Sequence, residues 1–235
     1  MLKLIIEKAR RDPFLRRALG RAKRAITGQR TAVFLSSAQY WNDRYKLGGN
    51  SGAGSHGRLA DFKATFLNDF VKRHSVKSVI EFGCGDGAQL ALADYPSYVG
   101  LDIAPIAVDT CRRKFVDSAN YEFYETSFRH PNEGTFDLAL SLDVIFHLVE
   151  DDVFDGYMRR LFSASSRYVI IYSYNFEREY ASQHERGREF LKWCAEKARF
   201  WDLVKIVENA YPYDESDPKS TSQSDFFVFR KANDC

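Results

Sequence analysis

The 235-residue chain is short of the residues that build fibrous, membrane-spanning or disulfide-stapled proteins. Its six prolines and fourteen glycines fall in no repeat, and a 45% hydrophobic content is too high for a disordered chain. No run approaches the roughly 18 consecutive apolar residues that a membrane-crossing helix requires, and the N-terminus has no apolar core of a secretory signal. Four cysteines (Cys84, Cys111, Cys194, Cys235) are scattered, without the paired spacing of a zinc site or a disulfide framework. They are expected to be reduced thiols, and no metal is expected. These absences point to a soluble, cytoplasmic chain with enough apolar material for one sizeable core.

The net charge of +2 conceals an uneven distribution. Residues 1–30 hold ten Lys and Arg against two Asp and Glu, which leaves the body mildly acidic. Asp12 suits a helix cap and Pro13 a first helical position, and Phe14, Leu15, Ala18, Leu19, Ala22 and Ile26 make an apolar stripe that Gly28 ends. Residues 1–35 therefore read as a basic amphipathic helical extension. Such a segment suits peripheral contact with the inner face of a membrane, or docking on its own domain or on a second copy in a homodimer. The acidic body argues against a nucleic-acid partner.

Residues 36–75 read as a helical lid. A helix over 36–47 leads into GGNSGAGSHG at 48–57, where five glycines forbid regular structure, and helicity resumes on Leu59, Phe62, Phe66, Leu67, Phe70 and Val71. From residue 76 to 235 strands and helices alternate. Strands are expected at 77–82, 98–102, 121–125, 136–141, 167–174, about 203–209 and 225–230, with helices near 87–94, 104–117, 149–163 and 182–199. Ser182 and Glu185 have capping-box spacing for the last of these. This order predicts an α/β fold, a doubly wound, mostly parallel seven-stranded sheet whose last strand pairs antiparallel.

The chemistry concentrates at Val79-Ile-Glu-Phe-Gly-Cys-Gly-Asp-Gly87, an apolar strand running into a glycine-rich turn. Glycines let a ligand approach the backbone, and unpaired N–H groups beyond the turn offer it a seat. Asp102 follows at the carboxyl end of the second strand, placed to accept from ribose hydroxyls. Gly83, Gly85 and Ala88 also satisfy the dinucleotide spacing G-x-G-x-x-A, so a nicotinamide-dependent oxidoreductase is a rival from another class. Glu81 separates the two, because a carboxylate inside an apolar strand is costly in a merely structural role.

With Glu81, Gly83, Gly85 and Gly87 as E-x-G-x-G-x-G, the chain resembles the class I S-adenosylmethionine-dependent methyltransferases over about residues 77–175. The resemblance implies a Rossmann-like methyltransferase fold and S-adenosylmethionine as cofactor. It places cofactor contacts on Glu81, Gly83, Cys84, Gly85 and Gly87, on Asp102 with Ile103, and on Ser141 and Leu142 up to Asp143. A narrower likeness rests on Tyr40-Trp41, Arg44-Tyr45, Gly48 to Ser55 and Arg58 to Lys63. These are similar to the N-terminal signature of a bacterial subgroup associated with surface-polysaccharide and glycan biosynthesis. The glycine loop then reads as a lid over the cofactor, with Tyr45 and Arg44 near the methionine carboxylate.

On the acceptor side, His147 is the candidate base for a hydroxyl, with Asp143 one helical turn away to orient it. Tyr174, His184 and Arg188 are candidates to line an acceptor pocket, the last two on one helical face. The function expected is O-methylation of a saccharide or glycan-related small molecule. N-methylation of a small amine or amino sugar is the nearest rival, and a non-catalytic cofactor-binding scaffold stands further off.

Overall fold

Val79–Phe82 (β1) and Tyr98–Asp102 (β2) are buried along their whole length, which for such short apolar runs means a sheet covered on both faces. A computed structural model describes residues 34–127, 135–178 and 182–232, and shows these two strands side by side within a seven-stranded sheet ordered β3-β2-β1-β4-β5-β7-β6. The others are Tyr121–Glu125 (β3), Phe136–Leu142 (β4), Ser165–Ser173 (β5), Trp201–Val207 (β6) and Asp225–Lys231 (β7). β1 to β5 run parallel, and β7 enters antiparallel between β5 and β6. The amphipathic extension expected over residues 1–35 lies, as far as residue 33, outside the described residues.

Strand alternation sends successive side chains to opposite layers. Ile80, Phe82, Val99, Leu101 and Val169 face Asp151–Ser163 (α4) and Phe190–Lys197 (α5), where Met158, Leu161 and Phe190 are fully buried. Val79, Tyr98, Leu138, Leu140, Ile170 and Tyr172 face the other way. There they meet Leu67 and Phe70 of Gly57–Arg73 (α2) and Val108 and Cys111 of Pro105–Lys114 (α3). Glu81 shares the α2 side with Val79.

Ser37–Lys46 (α1) is capped by Ser36, and its first turn is tethered far along the chain. Ser37 N–H and Oγ–H donate to the Glu150 carboxylate at 2.9 and 2.6 Å, just ahead of α4. This fixes α1 across the carboxyl ends of the strands.

Two expected helices are cut short. The 87–94 segment forms only a 3-10 turn, Leu90–Leu92, because Leu90 and Tyr95 both bury in the same core layer at a spacing no single helical face provides, and Pro96 disfavours helix at Tyr95. The 182–199 helix begins only at Phe190, so Ser182 and Glu185 cap nothing. Its front half is drawn onto the 146–149 backbone, with Arg186 N–H donating to the Phe146 carbonyl at 2.8 Å. Within the glycine loop a single 3-10 turn forms at Ala53–Ser55, where none was expected.

Candidate active site

The turn after β1 is shaped by three glycines in the left-handed region, Gly83 (φ +91°), Gly85 (φ +57°) and Gly87 (φ +69°). A side chain at Gly85 would meet Ser51 Oγ at 2.3 Å and Tyr45 Oη at 3.0 Å, so the glycine loop and α1 pack directly on the bare backbone. Asp102 holds the turn from β2: its carboxylate accepts from Gly85 N–H and Ala104 N–H, both at 2.9 Å. Burial pushes this carboxyl up to about 6. Glu81 is 4% exposed, accepts from Tyr98 Oη–H at 2.6 Å, and is pushed up to about 7 by the same cause.

Holding either acid in so dry a place costs stability that builds as pH rises from the ordinary carboxylate range toward these values and is complete above them. A cationic ligand brought against these acids would offset that cost. The residues present therefore fit a sulfonium nucleoside.

The lid is latched to the turn. Ser51 N–H and Oγ–H donate to the Asp86 carboxylate at 3.1 and 2.7 Å, Asp86 N–H donates back to Ser51 Oγ at 3.0 Å, and Tyr45 Oη pairs with Ser51 Oγ at 3.1 Å. Removing the hydroxyl with Ser51→Ala is expected to cost about 1–3 kcal/mol of lid closure, from net hydrogen-bond values of about 1 kcal/mol each. Limited proteolysis reads this as faster cleavage between residues 46 and 57; an unchanged rate would show that the latch contributes nothing.

Several sequence candidates sit elsewhere than expected. Tyr45 does lie over Gly85, but Arg44 serves the lid itself, with Nε donating to the Asn50 carbonyl at 2.7 Å and the guanidinium over Trp41. Cys84 is buried beneath the turn, and Ile103 is exposed at its rim. Leu142 points to the α2 side, whereas Ser141 points to the α4 side, where its Oγ accepts from Tyr157 Oη–H at 2.7 Å. That alternation sets Ser141 and Leu142 in opposite layers.

Asp143 does not orient His147. At φ +57° it turns its carboxylate away, accepting from Lys63 Nζ at 2.7 Å and from Ser224 Oγ at 3.2 Å. His147 instead pairs through Nδ1 with the His184 carbonyl at 3.2 Å. Its ring lies edge-on to Trp41 at 4.9 Å and against Phe146, which stacks on Tyr174. His184 stacks on Tyr40 at 3.9 Å and runs parallel to His147 at 6.0 Å.

Arg188 is corrected outright. It shares no helix with His184, is buried, donates to the Leu148 and Val149 carbonyls and pairs with Asp151, which makes it a brace for the loop before α4.

Sequence reasoning missed Ser51, Asp86, Tyr98, Ser224 and the role of Lys63. Only Lys63 left a clear signal, a cation on the Leu59–Lys63–Leu67 stripe that otherwise faces the core.

The fold is a doubly wound sheet that gathers two buried acids and a left-handed glycine turn at the carboxyl ends of β1 and β2. The antiparallel β7 between β5 and β6 departs from the 3-2-1-4-5-6 order of dinucleotide-binding sheets, which weighs against the nicotinamide reading. Residues 79–166 match the family model described as a methyltransferase domain. No curated protein matches the chain.

Among solved structures, the chain is similar to the N-methyltransferase NodS of Bradyrhizobium japonicum WM9 in complex with S-adenosyl-L-homocysteine (14% identity, 84% of this chain and 100% of that one, TM-score 0.60). It is also similar to the magnesium protoporphyrin IX methyltransferase of Synechocystis PCC 6803 with bound S-adenosylhomocysteine (13%, 83% and 98%, 0.59). A third is the methyltransferase domain of bacterial CtHen1 (20%, 75% and 100%, 0.58). At these identities the likeness is one of fold. With the domain match over residues 79–166, the sequence motif and the sheet order, the chain carries a methyltransferase domain and is an S-adenosylmethionine-dependent enzyme.

Proposed function

We propose that the enzyme O-methylates a hydroxyl of a saccharide or glycan-related small molecule, with His147 as the base. The observation that carries this reading is the pairing of His147 Nδ1 with a backbone carbonyl. A carbonyl only accepts, so Nδ1 bears the proton and Nε2 keeps its lone pair. Packing among Trp41 and Phe146 pushes the imidazole down to about 4 through desolvation, so it stays in the proton-accepting form across the neutral range.

When bound, the cofactor would supply an electrophilic methyl group on a sulfonium, whose leaving group is a neutral thioether that needs no proton. The chain's own residues take the hydroxyl proton at His147 Nε2, close the lid over the turn and keep water out.

The test is by-product formation against a panel of nucleotide sugars, oligosaccharides and amino sugars, with mass spectrometry locating the methyl group. Methylated oxygen is expected; a methyl on nitrogen would overturn the hydroxyl assignment in favour of amine methylation.

His147→Ala is expected to lower kcat by about 10²–10⁴-fold at pH 7, the usual contribution of a positioned base, with partial recovery at high pH. With cofactor saturating, the wild-type rate is expected to stay level from pH 8 down to about 5.5, because an imidazole held near 4 takes up its proton only below that range. A rise through the ordinary histidine value of 6.5, or full activity in the alanine variant, would remove His147 from the mechanism. The same depression makes stability depend on pH: the contribution is complete above 6.5 and is lost as pH falls toward 4.

A further inference from the structure

Lys63 lies on the face of α2 that carries Leu59 and Leu67, and it is 1% exposed, a place where an ammonium persists only with partners. Its one hydrogen-bond partner among the described residues is Asp143 Oδ2, at 2.7 Å, and the ring of Tyr172 lies 5.1 Å from Nζ. An ammonium has three protons to donate, so this buried cation keeps donors that no described protein group takes.

Its other surroundings are those of the cofactor site. The lid backbone comes close at Gly54, where a Cβ would lie 3.8 Å from Nζ and 2.8 Å from Asp143 Oδ2. Glu81, at the mouth of the glycine turn, feels the Lys63 charge as a pull that partly opposes its burial.

We propose that Lys63 holds the α-carboxylate of the amino-acid arm of S-adenosylmethionine, clamping that arm between α2 and the lid. The proposal rests on the methyltransferase assignment. Adenine and ribose carry no anion, and the sulfonium and α-amino groups are cations suited to Glu81 and Asp143. The carboxylate is thus the group on this cofactor that spare ammonium donors recognise. The cations otherwise at hand are committed, Arg44 to the Asn50 carbonyl and Tyr40 hydroxyl, and Lys114 to the Gly87 carbonyl at 2.8 Å. Lys63 therefore takes the role that the sequence suggested for Arg44.

The experiment compares two ligands by calorimetry on the full chain: S-adenosylhomocysteine, and 5′-methylthioadenosine, which has the same thionucleoside without the amino-acid arm. Lys63→Met is expected to weaken S-adenosylhomocysteine at least about tenfold and to leave methylthioadenosine unchanged, as loss of a charge-assisted bond predicts. Because the single variant strands Asp143, the paired variant Lys63→Met with Asp143→Asn is measured alongside, and the same selective loss is expected of it.

Equal weakening of both ligands, or unchanged S-adenosylhomocysteine affinity in the paired variant, would overturn the assignment of Lys63 while leaving the cofactor intact. Binding of neither nucleoside by the unaltered protein would instead overturn the methyltransferase reading, and this proposal with it.

Discussion

Asp102→Ala is expected to reduce affinity for S-adenosylhomocysteine by about a hundredfold or more. The carboxylate accepts from two backbone amides that define the turn, Gly85 N–H and Ala104 N–H. Hydrogen bonds to a charged group contribute about 1.5–3 kcal/mol each, and every 1.4 kcal/mol is tenfold in affinity. Alanine leaves both amides unpaired in a nearly dry site, so the turn loses its shape as well as its acid.

Asp102→Asn keeps one carbonyl oxygen for one amide and is expected to fall between alanine and the parent. The pH dependence has a definite sign. With its carboxyl near 6 in the free protein, Asp102 is increasingly protonated as pH falls below that value, so cofactor affinity declines on the acid side. Calorimetry across pH 5–8 checks both points, and an alanine variant within about threefold of the parent affinity, a difference under 1 kcal/mol, would exclude Asp102 from the site.

Gly87→Ala is expected to destabilise the fold by about 2–5 kcal/mol. Its φ of +69° costs an L-residue roughly 1–2 kcal/mol. The added Cβ would also lie 2.6 Å from Phe115 Cε2 and 3.1 Å from Cys111 Sγ, an overpacking that typically costs about 1–3 kcal/mol. Neither neighbour is a free end: Phe115 stacks on Phe123, and Cys111 is fully buried with its Sγ–H donating to the Gly85 carbonyl.

Gly156, within α4 and with open space around it, is the internal control. There alanine is expected to be neutral or to stabilise by about 0.5–1 kcal/mol, the helix-propensity difference. Urea unfolding of the two variants measures the contrast, and equal midpoints would show that the turn tolerates a side chain.

The inner strands were legible because burial of both faces leaves an unmistakable apolar run, as at Val79–Phe82 and Tyr98–Asp102. The segment after the glycine turn was not legible, since its helical spacing competes with two long-range anchors, Leu90 and Tyr95, that local pattern does not reveal. The same holds for residues 182–189, whose arginines spend themselves on carbonyls some forty positions earlier.

At the site, the acid-and-glycine turn was readable as chemistry because a buried acid in a strand demands a reason. The partnership of Asp143 was not, because neighbours at i and i+4 suggest each other only if a helix joins them. Here a left-handed residue and a 3-10 turn, Ile145–His147, intervene and send the two side chains to different partners.

The tether between Ser37 and Glu150 has a bearing on where this catalyst begins. Through it, one short helix near the start of the described chain supplies Trp41 and Tyr40 to the two histidines and Tyr45 to the glycine turn. The stretch 79–166 that matches the methyltransferase domain therefore leaves out the helix that packs on both histidines and reaches the glycine turn. Transplanting this activity into another scaffold means moving the frontal helix and its anchor together.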